Sequence, residues 1–466
     1  MTKTAFLTAT ELLPLYLDRK LSPIEATRAA LDQIAHHNPR VNAFCLVDEE
    51  AALTSARESE KRYSNGTPLG RLDGVPASIK DLVLTRGWPT LRGSRAVDPD
   101  QAWEEDAPAT ARLRESGAVL LGKTTTPEYG WKGVTDSPLT GITTNPWDTT
   151  RTSGGSSGGA AAAIALGMGR VAIGTDGGGS VRIPGAFCGI FGFKGTFGRV
   201  PAWPIPPFGT VANVGPMTST VEDAAVALDV IAAPDYRDPL TLPRTGYDFA
   251  DNLEGGVEGL RIAFSPDLGY AQVHPEVSDA LQQAARVFEE LGATVEREDP
   301  GFSDPLECFN VQWYTGAAKA IAAYTDEQRR FMDPGLIEVA EEGERYSALD
   351  YLDAVAERGE LSILMGGFHR RYDLLLTPTM PIPAFEAGVE SPASRGVDTR
   401  WTDWTPFSYP FNLTQQPSAT VPCGFAEGLP VGLQIVGDRH ADALVLRAAR
   451  AYEAAHPIGS RPPPAM

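Results

Sequence analysis

The period of apolar and polar positions changes repeatedly along the chain and marks out its elements. Ser22-Pro23-Ile24-Glu25 reads as a capping box with proline at the first helical position, opening a helix that Asn38-Pro39 closes. A second helical pattern covers Glu49 to Tyr63. After Asn65-Gly66, short apolar runs alternate with helical stretches: Val75 to Ile79, Ala109 to Ser116, Ala118 to Leu121, Gly159 to Met168 and Val171 to Gly174. That alternation is the mark of an α/β fold. Pro201 to Pro216 reads as a loop rich in proline and glycine, and Ala233 to Gly259 as a polar connection, either a domain boundary or a long surface excursion. Beyond it come a strand at Leu260 to Phe264, a helix at Pro275 to Leu291, a long helix at Leu349 to Tyr372 and a strand at Asp373 to Thr377. Strands at Ala419 to Val421 and Val431 to Val436 precede a closing helix at Ala441 to Ala454. Strands at both ends favour one sheet drawn from the whole chain, a single domain over residues 1–466, rather than two units.

Composition narrows the function classes. With 42% hydrophobic residues and 8% aromatics, the 466 residues describe a globular protein with a sizeable core. Forty basic against 60 acidic residues leave a net charge of −20, which repels nucleic acid and anionic membrane surfaces. Met1 to Lys20 lacks a signal-peptide pattern and the longest apolar run is too short to span a membrane, so a cytoplasmic protein is expected. Cys45, Cys188, Cys308 and Cys423 show no metal or disulfide spacing and are expected as buried free thiols. The six histidines fall in no metal-ligand pattern. Neither a metal nor a cofactor is expected.

Two motif matches fail on context. Gly117-Ala-Val-Leu-Leu-Gly122-Lys123-Thr124 fits a phosphate loop letter by letter, but its middle residues form an apolar strand where a phosphate cradle needs a polar loop. Gly154-Gly155-Ser156-Ser157-Gly158 fits a nucleophile elbow, yet a polar loop precedes it instead of a strand, and no downstream histidine has suitable surroundings.

If no histidine serves a serine nucleophile, a desolvated lysine can. Three segments then stand out: Gly74-Val75-Pro76-Ala77-Ser78-Ile79-Lys80-Asp81, the Ser156 loop, and Gly174-Thr175-Asp176-Gly177-Gly178-Gly179-Ser180-Val181-Arg182. Between Ser156 and Ser180, a helix running out roughly 15 Å and a strand returning roughly 16 Å nearly cancel, so both Gly-rich loops meet at one sheet edge. Gly177, Gly178 and Gly179 offer unobstructed N–H groups for a developing oxyanion, with Ser180 next to them. The glycines flanking Ser156 tolerate a strained backbone or a cis peptide. Taken singly, Ser156 reads as linker and Lys80 as a solvated charge; together with Ser180 they read as a catalytic set.

GGSSGGAAAA and GTDGGGSVRIPGAFCGIFGFKGTFGRVP, preceded by GVPASIKD and followed by PFNLTQQPSATVPCGF and GLPVGLQIVG, resemble the amidase signature family over nearly the whole chain. The resemblance implies a central mixed β-sheet surrounded by α-helices and a Ser–cisSer–Lys triad. Carried over, Ser180 is the nucleophile, Ser156 the cis-serine that bridges protons, and Lys80 the base. The N–H groups of Gly177 to Ser180 form the oxyanion hole, and Ser157 supports Lys80. Asp176 and Arg182, like Asp81, read as structural charges near the site. Family members often carry Thr or Ile where this chain has Gly177, and Pro where it has Gly195.

The implied reaction is hydrolysis of a carbon–nitrogen amide bond through an acyl-enzyme. By the same resemblance Tyr129, Gly130 and Trp131 line the acyl side of the pocket, and Trp203, Phe208, Trp401 and Trp404 sit in loops able to wall it, which suits aryl or bulky apolar amides. Carbamates and esters share the tetrahedral chemistry and stay open. The expected partner is a small-molecule amide, with no nucleic acid or membrane and a homodimer left open. Two alternatives stand: the glutaminase subunit of a tRNA-dependent amidotransferase, whose acidic glutamine-binding residue is replaced here by Thr405, and a catalytically silent binding protein on the same fold.

Overall fold

Thirteen strands organise the protein, which a computed structural model describes for residues 3–392 and 399–457. They are β1 (Phe44–Val47), β2 (Pro76–Lys80), β3 (Val119–Thr124), β4 (Asp136–Ser137), β5 (Gly141–Ile142), β6 (Val171–Asp176) and β7 (Phe191–Lys194). The rest are β8 (Asn213–Thr218), β9 (Arg261–Phe264), β10 (Thr294–Arg297), β11 (Leu374–Pro378), β12 (Ser418–Ala426) and β13 (Leu429–Gly437). All but the small β4–β5 hairpin join one 11-stranded sheet in the order β1-β3-β2-β6-β8-β7-β12-β13-β11-β9-β10. It is mixed: β3, β2 and β6 run parallel, as do β11, β9 and β10, while β6 to β11 alternate through antiparallel pairs. Strands from both sides of the 233–259 connection therefore share one sheet, surrounded by helices.

Strand β2 is buried at every position, as its apolar run and parallel neighbours require. Helices cover the sheet with apolar stripes; Pro275–Glu290, for instance, turns Val277, Leu281, Ala284 and Phe288 inward. A second apolar core gathers Trp131, Trp313, Trp401, Trp404 and Phe187. Among the described residues no helix is long and apolar enough to cross a membrane.

Several boundaries differ from expectation for local reasons. The first long helix continues through Pro39 to Val41 and ends on Asn42 in the left-handed conformation, since a proline in the last turn loses one hydrogen bond without ending the helix. β8 begins inside the stretch read as loop and runs two residues past it: Gly215 and Pro216 weaken the strand pattern, yet both are paired, opposite Gly174 and Ile173. β12 and β13 are longer than expected because Pro422 and Gly424 flank a register shift that the ladder absorbs. Cys188, Cys308 and Cys423 are buried, but Cys45 is exposed: it stands on β1, the edge strand, with its thiol donating to Lys123 O at 3.4 Å. Lys123 of the phosphate-loop look-alike lies within β3, fully buried, donating to Val83 O at 2.7 Å and Thr90 Oγ1 at 2.8 Å.

Candidate active site

Lys80 and Thr175 meet because β2 and β6 are parallel neighbours, with Ile79 opposite Ile173, so their C-terminal ends lie side by side. The Gly158–Ala165 helix, which leads into β6, brings Ser156 and Ser157 to the same end. Lys80 is completely buried, and its Nζ lies 2.6 Å from Ser156 Oγ, 2.9 Å from Ser157 Oγ and 3.0 Å from Thr175 Oγ1. Burial holds this ammonium well below the usual lysine range; Asp176 pulls weakly the other way.

Hydrogen-bond bookkeeping then gives the arrangement a direction. The Ser157 hydroxyl donates to Thr175 O at 3.2 Å, so it accepts from Nζ. A neutral amine has two protons and one lone pair. In that form, with the protons directed to Ser157 and Thr175, the lone pair would face Ser156, and Ser156 would donate to Lys80 across the same 2.6 Å contact.

The Gly155–Ser156 peptide is cis. A Cβ at Gly155 would stand 2.5 Å from Val134 O, so only glycine admits that backbone here. Ser180 follows β6 in the next loop, where its carbonyl accepts from Ser157 N–H at 3.1 Å. Both Ser156 and Ser180 line one cavity of about 400 Å³.

Asp176 shapes the loop between them. Its carboxylate accepts from the N–H groups of Gly179 (2.8 Å), Val181 (3.2 Å) and Arg182 (3.4 Å), and from Arg182 Nε and Nη2 at 3.0 and 2.9 Å. Burial pushes this carboxyl up, but the Arg182 guanidinium outweighs it and holds the group well below the usual carboxylate range. Arg182 also donates to Ser408 O, Gln434 Oε1 and Asn412 Oδ1, while Asn412 Nδ2 returns to Asp176 Oδ1 at 2.9 Å. The Gly179 N–H is therefore engaged by Asp176. Among the described residues no hydrogen bond occupies the N–H of Gly177, Gly178 or Ser180.

The pocket residues divide. Tyr129, Gly130, Trp203 and Phe208 line the cavity. Trp131 does not: it is fully buried behind the wall, where its carbonyl accepts from Trp313 Nε1 at 2.9 Å. Trp401 and Trp404 are likewise core residues. Trp313, which no sequence motif singles out, lines the cavity and stacks on Phe208 with ring centroids 3.9 Å apart. Its helix, Leu306–Ile321, carries the signal that would have found it: Phe309, Trp313 and Ala317 recur every four residues and are buried. Asn412 and Gln434 lie within the family motifs, but nothing local says what they hold.

A family profile described as Amidase matches residues 25–446. An acylamidase of Rhodococcus erythropolis is 39% identical over 98% of this chain and 97% of its own length. A glutamyl-tRNA(Gln) amidotransferase subunit of Myxococcus xanthus is 38% identical over 98% of this chain and 99% of its own. Among solved structures, a bacterial aryl acylamidase belonging to the amidase signature enzymes superposes with a TM-score of 0.92 at 33% identity, over 99% of this chain and 100% of that one.

Proposed function

The chain belongs to the amidase signature family and is an amide hydrolase, and on that premise we propose that it cleaves an aryl or bulky apolar amide through an acyl-enzyme on Ser180. The observation that carries this reading is the 2.6 Å contact of a buried, desolvated Lys80 with Ser156, beside the cavity that Ser156 and Ser180 both line. Neutral Lys80 takes the Ser156 proton as Ser156 takes that of Ser180, and Ser180 Oγ attacks the amide carbon. The N–H groups of Gly177, Gly178 and Ser180 receive the oxyanion. Ser156 returns a proton to the nitrogen, the C–N bond breaks and the amine leaves. Water, activated by the same relay, then releases the carboxylic acid and restores Ser180. Support for an aryl or apolar substrate comes from the Phe208–Trp313 stack and from the relatives named acylamidase and aryl acylamidase.

The test is hydrolysis of an anilide panel by wild type, Ser180→Ala and Lys80→Met. Both variants are expected to lose at least about 10³ in kcat. Wild-type kcat/KM is expected to rise with pH through a single deprotonation far below the ordinary lysine value and then level off. A Ser180→Ala protein as active as wild type sinks the mechanism.

A second reading, the glutaminase component of an amidotransferase, has the amidotransferase relatives in its favour. Against it, Thr405 is buried and its hydroxyl donates to Trp401 O and Thr402 O at 3.3 Å, leaving no acid there to hold a glutamine amine. Glutamine turnover by the isolated chain would favour this reading instead.

A further inference from the structure

The cavity lining is of two chemical kinds. Part is apolar, walled by the Phe208–Trp313 stack. Part is polar: Arg92 beside Tyr129 and Tyr324, and the exposed Lys319, while among the described residues no aspartate or glutamate lines the cavity. In a chain with 60 acidic residues against 40 basic ones, an acid-free cavity with two cations runs against the overall charge.

Neither cation is neutralised by its surroundings. Among the described residues no carboxylate forms an ion pair with Arg92 or Lys319. Asp81, the acid close to Arg92 in sequence, turns its carboxylate to the N–H groups of Leu91 and Gly93 at 3.2 and 3.4 Å and to Lys123 at 3.8 Å. Arg92 Cζ lies 5.8 Å from the centre of the Tyr129 ring, and the Tyr129 and Tyr324 hydroxyls bond to each other. Two hydroxyls joined by one hydrogen bond leave one O–H proton uncommitted. Arg92 and this hydroxyl donor, with Lys319 also on the lining, make a site for an anion.

It is also close to the chemistry. Gly130 follows Tyr129, and a Cβ there would lie 3.2 Å from Ser156 Oγ. Trp313 and Lys319 sit six positions apart on the Leu306–Ile321 helix, about 9 Å along its axis. A small amphipathic acid spans such a distance.

Resting on the amidase reading above, we propose that the amide this cavity takes carries a carboxylate, seated on Arg92 and the Tyr129–Tyr324 hydroxyls with the exposed Lys319 adding its charge, while the apolar part of the molecule lies against Phe208 and Trp313. The carboxylate belongs either to the acyl chain or to the departing amine, and two substrate series distinguish them. The first compares succinyl, glutaryl and adipyl p-nitroanilides with their neutral acyl counterparts; the second compares 4-acetamidobenzoate with acetanilide.

In one series the acid is expected to exceed its neutral partner by at least about tenfold in kcat/KM, mainly through KM, as one charge-assisted hydrogen bond implies. The preference should shrink with added salt. Arg92→Gln and Lys319→Gln should each erode the ratio, and Arg92→Lys should retain more of it than Arg92→Gln. Equal kcat/KM for acid and neutral partner in both series overturns the proposal, as does a preference that survives the Arg92→Gln/Lys319→Gln double variant. Calorimetric binding of the same acids to Ser180→Ala keeps the two readings apart. If wild type cleaves none of these anilides, the anilide reading fails, while acid binding that Arg92→Gln abolishes still supports the anion site and absence of binding refutes it.

Discussion

At position 177 a Cβ would stand 2.7 Å from Trp313 Cζ3, and the indole cannot easily yield. Its Nε1 is tied to Trp131 O and its face is stacked on Phe208. The bare glycine and the large indole thus share a volume that family members carrying Thr or Ile at this place must divide differently. Gly177→Thr is expected to cost about 1–3 kcal/mol in stability through overpacking and to lower kcat/KM for aryl substrates. Gly177→Thr should cost less in a Trp313→Ala background than in wild type, read by urea denaturation across the four-protein cycle. If the two single costs simply add in the double variant, the residues are not coupled.

Among the elements, the loop that follows β6 is held less by its own sequence than by the Asp176–Arg182 pair, both fully buried. Asp176→Asn leaves that guanidinium without its countercharge and should cost about 3–5 kcal/mol, with kcat falling more than KM rises as the 177–180 N–H groups shift. An unchanged denaturation midpoint would mean that the guanidinium finds its balance elsewhere. Because the folded carboxyl is held low, the pair stabilises the fold above the ordinary carboxylate range, and this contribution fades as pH falls toward the folded value.

The same loop shows what a sequence can and cannot reveal. That Lys80 lies against Ser156 and that Ser180 lines the same cavity as Ser156 was readable because each sits in a short segment whose glycines or apolar flanks are unusual by themselves, and the helix-and-strand return between the serines is a local matter of length. The engagement of Gly179 by Asp176 was not readable, since three adjacent glycines look alike until the carboxylate's direction is known. Trp313 and Lys319 were missed because their helix follows a long stretch without a motif, and Trp131 was misplaced because an aromatic beside a pocket residue points as readily into the core. In the fold, the alternation of strands and helices was legible, whereas β7 and β8 hid within runs broken by glycine and proline.

At the scale of the whole molecule, the buried lysines make stability depend on pH in an uncommon direction. Burial, helped by the Arg182 guanidinium, pushes Lys194 down to about 7; burial against Asp81 takes Lys123 to about 8; Lys80 is also held low. Unfolded lysines keep their protons up to the ordinary value of 10.5, so between those limits the unfolded chain binds more protons and folding gains as pH rises. Each such group contributes up to about 1.4 kcal/mol per pH unit. The melting temperature is expected to climb between about pH 8 and 9.5, and Lys194→Met should flatten part of the climb. Above that interval buried tyrosines such as Tyr16 and Tyr270, whose hydroxyls resist ionisation, oppose it. A melting temperature that falls steadily across the interval would contradict this assignment.

The central place of β12 and β13, the last in chain order of the described strands, has a consequence for biosynthesis. They fill the middle of the sheet, between β7 and β11, and the 408–434 region supplies Ser408, Asn412 and Gln434 to the Arg182 guanidinium. Arg182, and through it Asp176 and the 177–180 loop, thus draw their partners from a segment beginning 226 positions further along the chain, and a product cut short of residue 408 is expected to show no hydrolysis.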